Sequence, residues 1–161
     1  MNPLVIDPEN ITDTTITDIL NDAAIDHHDN GGLYVTEYPF NFWINLDSKR
    51  KLVTLYSYWH VQSDADELDI LRFVNQANLD KIMLQFSYNS DRDRFYGHYC
   101  AEIHAGLISQ NLLKLCHKFS SILDEVVDDG IEAGVLMPLP ECPCDDAADA
   151  NAATDTDSTV H

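Results

Sequence analysis

Basic residues are what this chain most conspicuously lacks, with nine Lys and Arg against 28 Asp and Glu and a net charge of −19. The shortage is uneven. The first 48 residues hold nine acidic side chains and no base, and residues 139–161 hold six acids and no base. A surface of that sign repels phosphate backbones and anionic bilayers, which argues against nucleic acid and membrane as partners and for a basic protein segment. Long apolar runs are missing too. No stretch approaches the ~20 residues that span a bilayer, and MNPLVIDPENITD has neither the cationic start nor the apolar run of a signal peptide. Cysteine is sparse: Cys100 and Cys116 fall within core-like patterns, and only Cys142 and Cys144 stand close together, which is no secreted disulfide framework. The expectation is a cytoplasmic protein. Also absent are G-x-S-x-G, H-E-x-x-H and any phosphate-cradling glycine-rich loop, so no familiar catalytic constellation points to an enzyme and no cofactor is expected.

What is present is a succession of periodic segments. Residues 1–11, with two prolines and no period, read as a loose lead-in to a domain over 12–137. In residues 12–25 Ile16, Ile19, Leu20 and Ala23 form one helical stripe, with Thr12 or Asp13 as cap. The polar run 27–32 reads as a loop. Residues 32–38, 40–46 and 51–61 alternate as strands, the second most cleanly, with Phe40, Phe42, Ile44 and Leu46 on one face. The short links between them predict an antiparallel meander.

Residues 63–87, SDADELDILRFVNQANLDKIMLQFS, are the pivot of the chain. They read as a helix capped by Ser63 or Asp64, with Leu68, Leu71, Phe73, Val74 and Ala77 facing inward. Asn75 and Asn78 stand near its end, and Asn78 is the expected stop, because asparagine tolerates left-handed backbone. Strands over 82–88 and 95–103 follow, then a helix from Ser109 along Leu112, Cys116, Phe119, Leu123 and Val126, ended by Gly130. Residues 138–161 carry no core-forming run and read as a disordered acidic tail. The resulting order, αβββαββα, predicts an α+β fold in which helices pack on an antiparallel five-stranded sheet.

The combination of the strand holding Phe42 and Leu46, the helix ELDILRFVNQAN (67–78), LQFSY (84–88) and SQNLLKLCHKF (109–119) resembles the YbjN-type family over residues 12–130. Its most telling part is the RFVNQAN helix end, with Asn75 and Asn78 followed at once by a strand. The members of that family are candidate bacterial sensory-transduction regulators with a type III secretion chaperone-like fold. The resemblance implies a non-enzymatic cytosolic regulator acting through protein contacts, including contacts with a second copy of itself, with no catalytic residue to carry over.

Three clusters invite sharper chemistry. His27 and His28, flanked by Asp26 and Asp29, are competent metal ligands, yet neighbouring side chains in a loop rarely converge on one ion. Cys142 and Cys144 lack both zinc-site spacing and a second ligand pair. His98, Cys100, Glu102 and His104 share a strand face, but residues two apart on one strand lie ~6–7 Å apart, too far for a nucleophile–base hydrogen bond. A small metal-binding protein or enzyme built on these histidines and tail cysteines is therefore the alternative to a binding module. The acidic tail acting as a mimic or spacer is a third reading. For the binding module, the aromatic residues Tyr34, Trp43, Tyr56 or Tyr58, and Trp59 are expected opposite the core-facing set. There they would form a partner-docking surface unless a helix covers them.

Overall fold

The computed structural model describes residues 5–138. The tail over 139–161, with Cys142 and Cys144, lies outside the described residues, as do residues 1–4. In chain order the elements are β1 (Val5–Ile6), α1 (Asp13–Asp22), β2 (His27–Asp29), β3 (Leu33–Val35), β4 (Phe42–Asp47), β5 (Leu52–His60), α2 (Glu67–Asp80), β6 (Gln85–Asn89), β7 (Arg94–Glu102), β8 (Leu107–Ile108) and α3 (Ser109–Glu132).

The principal sheet is wholly antiparallel, in the order β2-β3-β4-β5-β7-β6, and β1 and β8 form a separate pair. It has six strands and not the expected five. The sixth is His27–Asp29, whose polar residues look like a loop but pair with Val35, Tyr34 and Leu33. Backbone pairing, not side-chain burial, makes this strand, and hydropathy does not register it. Residues 5–11 are likewise more ordered than a loose lead-in: β1 pairs with β8, and Ile11 is buried.

One core lies between the inner face of the sheet and the helices. Strand alternation supplies Val35, Phe42, Ile44, Val53, Leu55 and Phe95 from the sheet, and α3 lays Leu112, Cys116, Phe119, Leu123 and Val126 on them. Gly97 makes this approach possible, because a Cβ there would lie 2.7 Å from Leu123 Cδ1. Helix α1 begins with a reciprocal capping box between Thr12 and Thr15 and buries Ile16, Ile19 and Leu20.

Helix α2 departs from the expectation in three ways. Its cap is Asp66, whose carboxylate accepts from Leu68 N at 2.9 Å, not Ser63 or Asp64. Its inner stripe is Ile70, Phe73, Val74 and Ala77, leaving Leu68 and Leu71 about half exposed. The helix also runs past Asn78 to Asp80. Both leucines belong to a second apolar stripe, and periodicity alone does not say which stripe meets the core. Gly130 also sits inside its helix. A Cβ at that position would come 2.5 Å from Leu136 Cδ1 and 2.9 Å from Phe73 Cζ, so glycine is there for close packing. The left-handed turn that ends α3 is made by Gly134, at φ 71°. Beyond it, Leu136 bridges to Val61 and Met137 N donates to His60 O at 3.0 Å, bringing the chain back to the end of β5.

Candidate functional site

The outer face of the sheet follows from register. Directly opposed residues form one row across all six strands: His28, Tyr34, Trp43, Tyr56, His98 and Gln85. Aromatic stacking runs along it. The Tyr34 and Trp43 rings lie 4.4 Å apart, and Trp43 stacks on Tyr56 at 5.5 Å and on Tyr58 at 5.6 Å. Tyr58 meets Tyr96 at 5.8 Å, and the Arg94 guanidinium sits 4.1 Å from the Tyr58 ring centre. Offset aromatic pairs each contribute about 0.5–1.5 kcal/mol beyond area burial, so the platform is ordered without help from a helix. None of these aromatics belongs to the core that collects the buried residues of all three helices. Burial pushes the Tyr56 hydroxyl pKa upward, and the neighbouring Tyr96 and Tyr58 push it the same way.

Beside the start of β4, the platform opens into a cleft of about 110 Å³. Tyr34, Trp43 and Trp59, the three residues singled out for partner contact, all line it. They reach it from opposite sides of the sheet. Tyr34 and Trp43 are outer-face residues by register, with Trp43 half-buried and Tyr34 only 7% exposed; Trp59 shares the inner-face alternation of Val53 and Leu55 and is likewise 7% exposed, which corrects its expected outward placement. Aromatics on both faces of β5 blur a period-two reading there; the pairing of Trp43 with Tyr56 settles it.

The walls of the cleft are fixed by polar contacts. Trp59 Nε1 donates to Met137 O at 2.7 Å, and Trp43 Nε1 donates to Asn30 O at 2.9 Å. The buried Ser120 hydroxyl accepts from Phe40 N at 2.8 Å and donates to Phe40 O at 2.9 Å, pinning the loop before β4 to α3. Ser57 Oγ donates to Asn41 O at 2.8 Å from the other side. Asp124 and Asp128, one helical turn apart on α3, complete the lining. Neither has an ion-pair partner among the described residues. Burial raises the Asp124 carboxyl pKa above its usual value, and the nearby Asp128 adds to the shift. Nothing in the sequence marks either residue, because acidic residues four apart on a polar helix face are commonplace.

The remaining singled-out residues fall elsewhere. Asn78 clamps β6: its Oδ1 accepts from Phe86 N at 2.9 Å, and its Nδ2 donates to Phe86 O and Val74 O, each at 3.0 Å. Asn75 is exposed on α2. His27 Nδ1 contacts Ile25 O at 2.7 Å, and the His28 ring packs edge-on to Tyr34. Cys100 pairs with Thr54 Oγ1 at 2.9 Å, and His98 with Gln85 at 3.0 Å, so the strand-face trio makes contacts across strands and not along one. Among the described residues, no three His, Cys, Asp or Glu side chains are grouped to hold a metal ion. No helix among them is long and apolar enough to cross a membrane.

Compared with known proteins, the chain matches no family model and no curated sequence. Its fold is nonetheless shared with solved structures. YbjN from E. coli, a candidate transcription regulator, superposes with a TM-score of 0.68 at 12% identity, covering 80% of this chain and 97% of that one. An uncharacterized protein from Methanothermobacter thermautotrophicus gives a TM-score of 0.57 at 11% identity, covering 76% and 98%. The Yersinia pestis type III secretion chaperone SycH, solved with a fragment of YscM2, is also among the neighbours, at 16% identity over 76% and 99% of the two chains. Its TM-score of 0.42 is too low for an argument. The resemblance to YbjN read from the sequence therefore holds at the level of the α+β fold.

Proposed function

We propose that this chain is a non-enzymatic, cytoplasmic regulatory module that binds a segment of another protein against the open face of its sheet. The carrying observation is the aromatic row: Trp43 and Tyr56 cross neighbouring strands in register beside the buried Tyr34, outside the core cluster that takes up all three helices. Preordered aromatic surface is what a partner's side chains bury most favourably, since little conformational freedom remains to be lost. The imbalance of 28 acids to nine bases favours a basic segment and speeds its encounter. A second surface supports the same kind of role. Leu68, Leu71, Leu79 and Ile82 are 48–97% exposed along and just beyond α2, an apolar stripe suited to a further protein contact, a second copy of the chain included.

The test is affinity capture from source-cell lysate with the parent chain and with a Tyr56→Ser/Tyr96→Ser variant whose melting temperature is checked first. The expected outcome is one or two stoichiometric proteins held by the parent at low salt, released at high salt and lost from the variant. Equal capture by the two forms rejects the sheet-face mode.

A further inference from the structure

We propose that the cleft beside Trp43 and Trp59 is a receptor for a single cationic side chain of the partner, the guanidinium of an arginine or the ammonium of a lysine. The inference rests on the protein-binding reading above and names the chemistry that its site selects.

Three features converge. The cleft is small, about 110 Å³, which suits one side-chain head group and not a helix or an extended strand. Its walls are aromatic, with Tyr34, Trp43 and Trp59 supplying ring surface, and indole is the strongest of the side-chain rings for holding a cation. Its only charged residues are Asp124 and Asp128, neither of which has an ion-pair partner among the described residues. Burial first, and the neighbouring Asp128 second, raise the Asp124 carboxyl pKa above its usual value. Aromatic rings attract a cation through their quadrupoles, and carboxylates attract it through their charge. No neutral or anionic group gains from both.

The chain already displays the ring half of this arrangement nearby, where the Arg94 guanidinium lies 4.1 Å from the Tyr58 ring centre. Arg94 takes up that ring, so Tyr58 serves the cleft as wall; Tyr34 and Trp59 are each only 7% exposed and shape the floor, and the half-buried Trp43 is the ring an incoming cation meets. The geometry of the walls is rigidly held, by Trp59 on Met137 O, Trp43 on Asn30 O and Ser120 on the Phe40 backbone.

The two tryptophans of the cleft are the only two in the chain, so intrinsic fluorescence reports directly on its occupancy. The probes are Nα-acetyl-arginine amide and the citrulline amide that has nearly the same shape without the charge. We expect saturable fluorescence change with the arginine probe and binding of the citrulline probe at least about tenfold weaker. Asp124→Asn/Asp128→Asn should lose the arginine preference, whereas Asp13→Asn/Asp18→Asn on α1, which removes the same net charge elsewhere, should keep it. As a second measurement on the unmodified chain, the arginine probe should lower the Asp124 carboxyl pKa followed by NMR. Equal binding of the two probes, unchanged arginine binding in Asp124→Asn/Asp128→Asn, or equal loss in both double variants overturns the inference. The two readings fail separately. Partner capture that still depends on Tyr56 and Tyr96, with no arginine-probe binding, removes the receptor and leaves the docking face. Probe binding with capture indifferent to Tyr56 and Tyr96 removes the docking face and supports the receptor.

Discussion

Replacing Asn78 by alanine tests how the pivot of the chain works. β6 is an edge strand, paired with β7 on one side only. On its free side Phe86 would present an N–H and a C=O to solvent or to another strand, the exposure that invites edge-to-edge pairing. Asn78 covers both groups, accepting from Phe86 N at 2.9 Å and donating to Phe86 O at 3.0 Å. Its bond to Val74 O stays within α2 and ties nothing across elements. Two net hydrogen bonds are worth about 1–3 kcal/mol together, and alanine returns roughly 0.5 kcal/mol of helix propensity. The expected loss is therefore about 0.5–2.5 kcal/mol, a shift of roughly 0.25–1.25 M in the urea midpoint for a domain of this size.

Two assays separate this account from a general loosening of the helix. In native-state hydrogen exchange, the Phe86 amide should lose protection far more than its neighbours on β7. Asn78→Asp, which keeps an acceptor for Phe86 N but sets a carboxylate against Phe86 O, should fare worse than Asn78→Ala at neutral pH. A midpoint shift below about 0.2 M in Asn78→Ala, with Phe86 exchange unchanged, would refute the clamp.

Four further outcomes follow from the geometry. Gly97→Ala should cost about 1–3 kcal/mol in urea unfolding, because its Cβ would stand 2.7 Å from Leu123 Cδ1 and α3 would have to lift off the sheet. Ser120→Ala removes both contacts to the Phe40 backbone in a buried setting; it should cost about 1–3 kcal/mol and shift tryptophan emission as the cleft loses its wall. For Asp124 the folded-state pKa is raised, so the folded chain holds that proton more tightly and stability falls as pH rises through the folded pKa. Asp124→Asn should therefore be more stable than the parent at pH 7, an advantage that disappears in acid; melting curves across that range decide it. Burial pushes the Cys116 thiol pKa up to about 12, so in the native chain iodoacetamide should spare Cys116 while it reaches the exposed Cys100.

Much of the fold was legible because one-sided burial imposes a period. Ile16, Ile19 and Leu20, the alternation through Phe42 and Ile44, and the stripe from Leu112 to Val126 all lie where their spacing puts them. The failures share a cause: each lay where two readings are equally periodic or where the backbone decides. Helix α2 carries two apolar stripes, and its partner β6, not its own sequence, selects Ile70 and Ala77 over Leu68 and Leu71. Strand β2 is polar and exists through its pairing with β3. Gly130 looks like a helix stop and is a packing residue, a difference visible only once Leu136 and Phe73 are placed beside it.

The candidate site was half legible for a related reason. Aromatic residues on strands can be found in a sequence, but which of them meet depends on register. Tyr34 and Trp43 meet because β3 and β4 pair as they do, and Trp59 joins them from the other face only because the chain before β4 leaves the sheet open at Asn41. The carboxylates come from α3, more than 60 positions along the chain from Trp59. No local pattern links Asp124 to Trp43. What links them is that α3 crosses the sheet where Gly97 admits it and Ser120 anchors the loop at Phe40, one turn before Asp124. The residues that build the core at that crossing thus also decide where the acidic turn of α3 meets the aromatic platform. A change that moves α3 should alter the cleft and lower the stability together, whereas Asp124→Asn should alter the cleft and raise the stability at neutral pH.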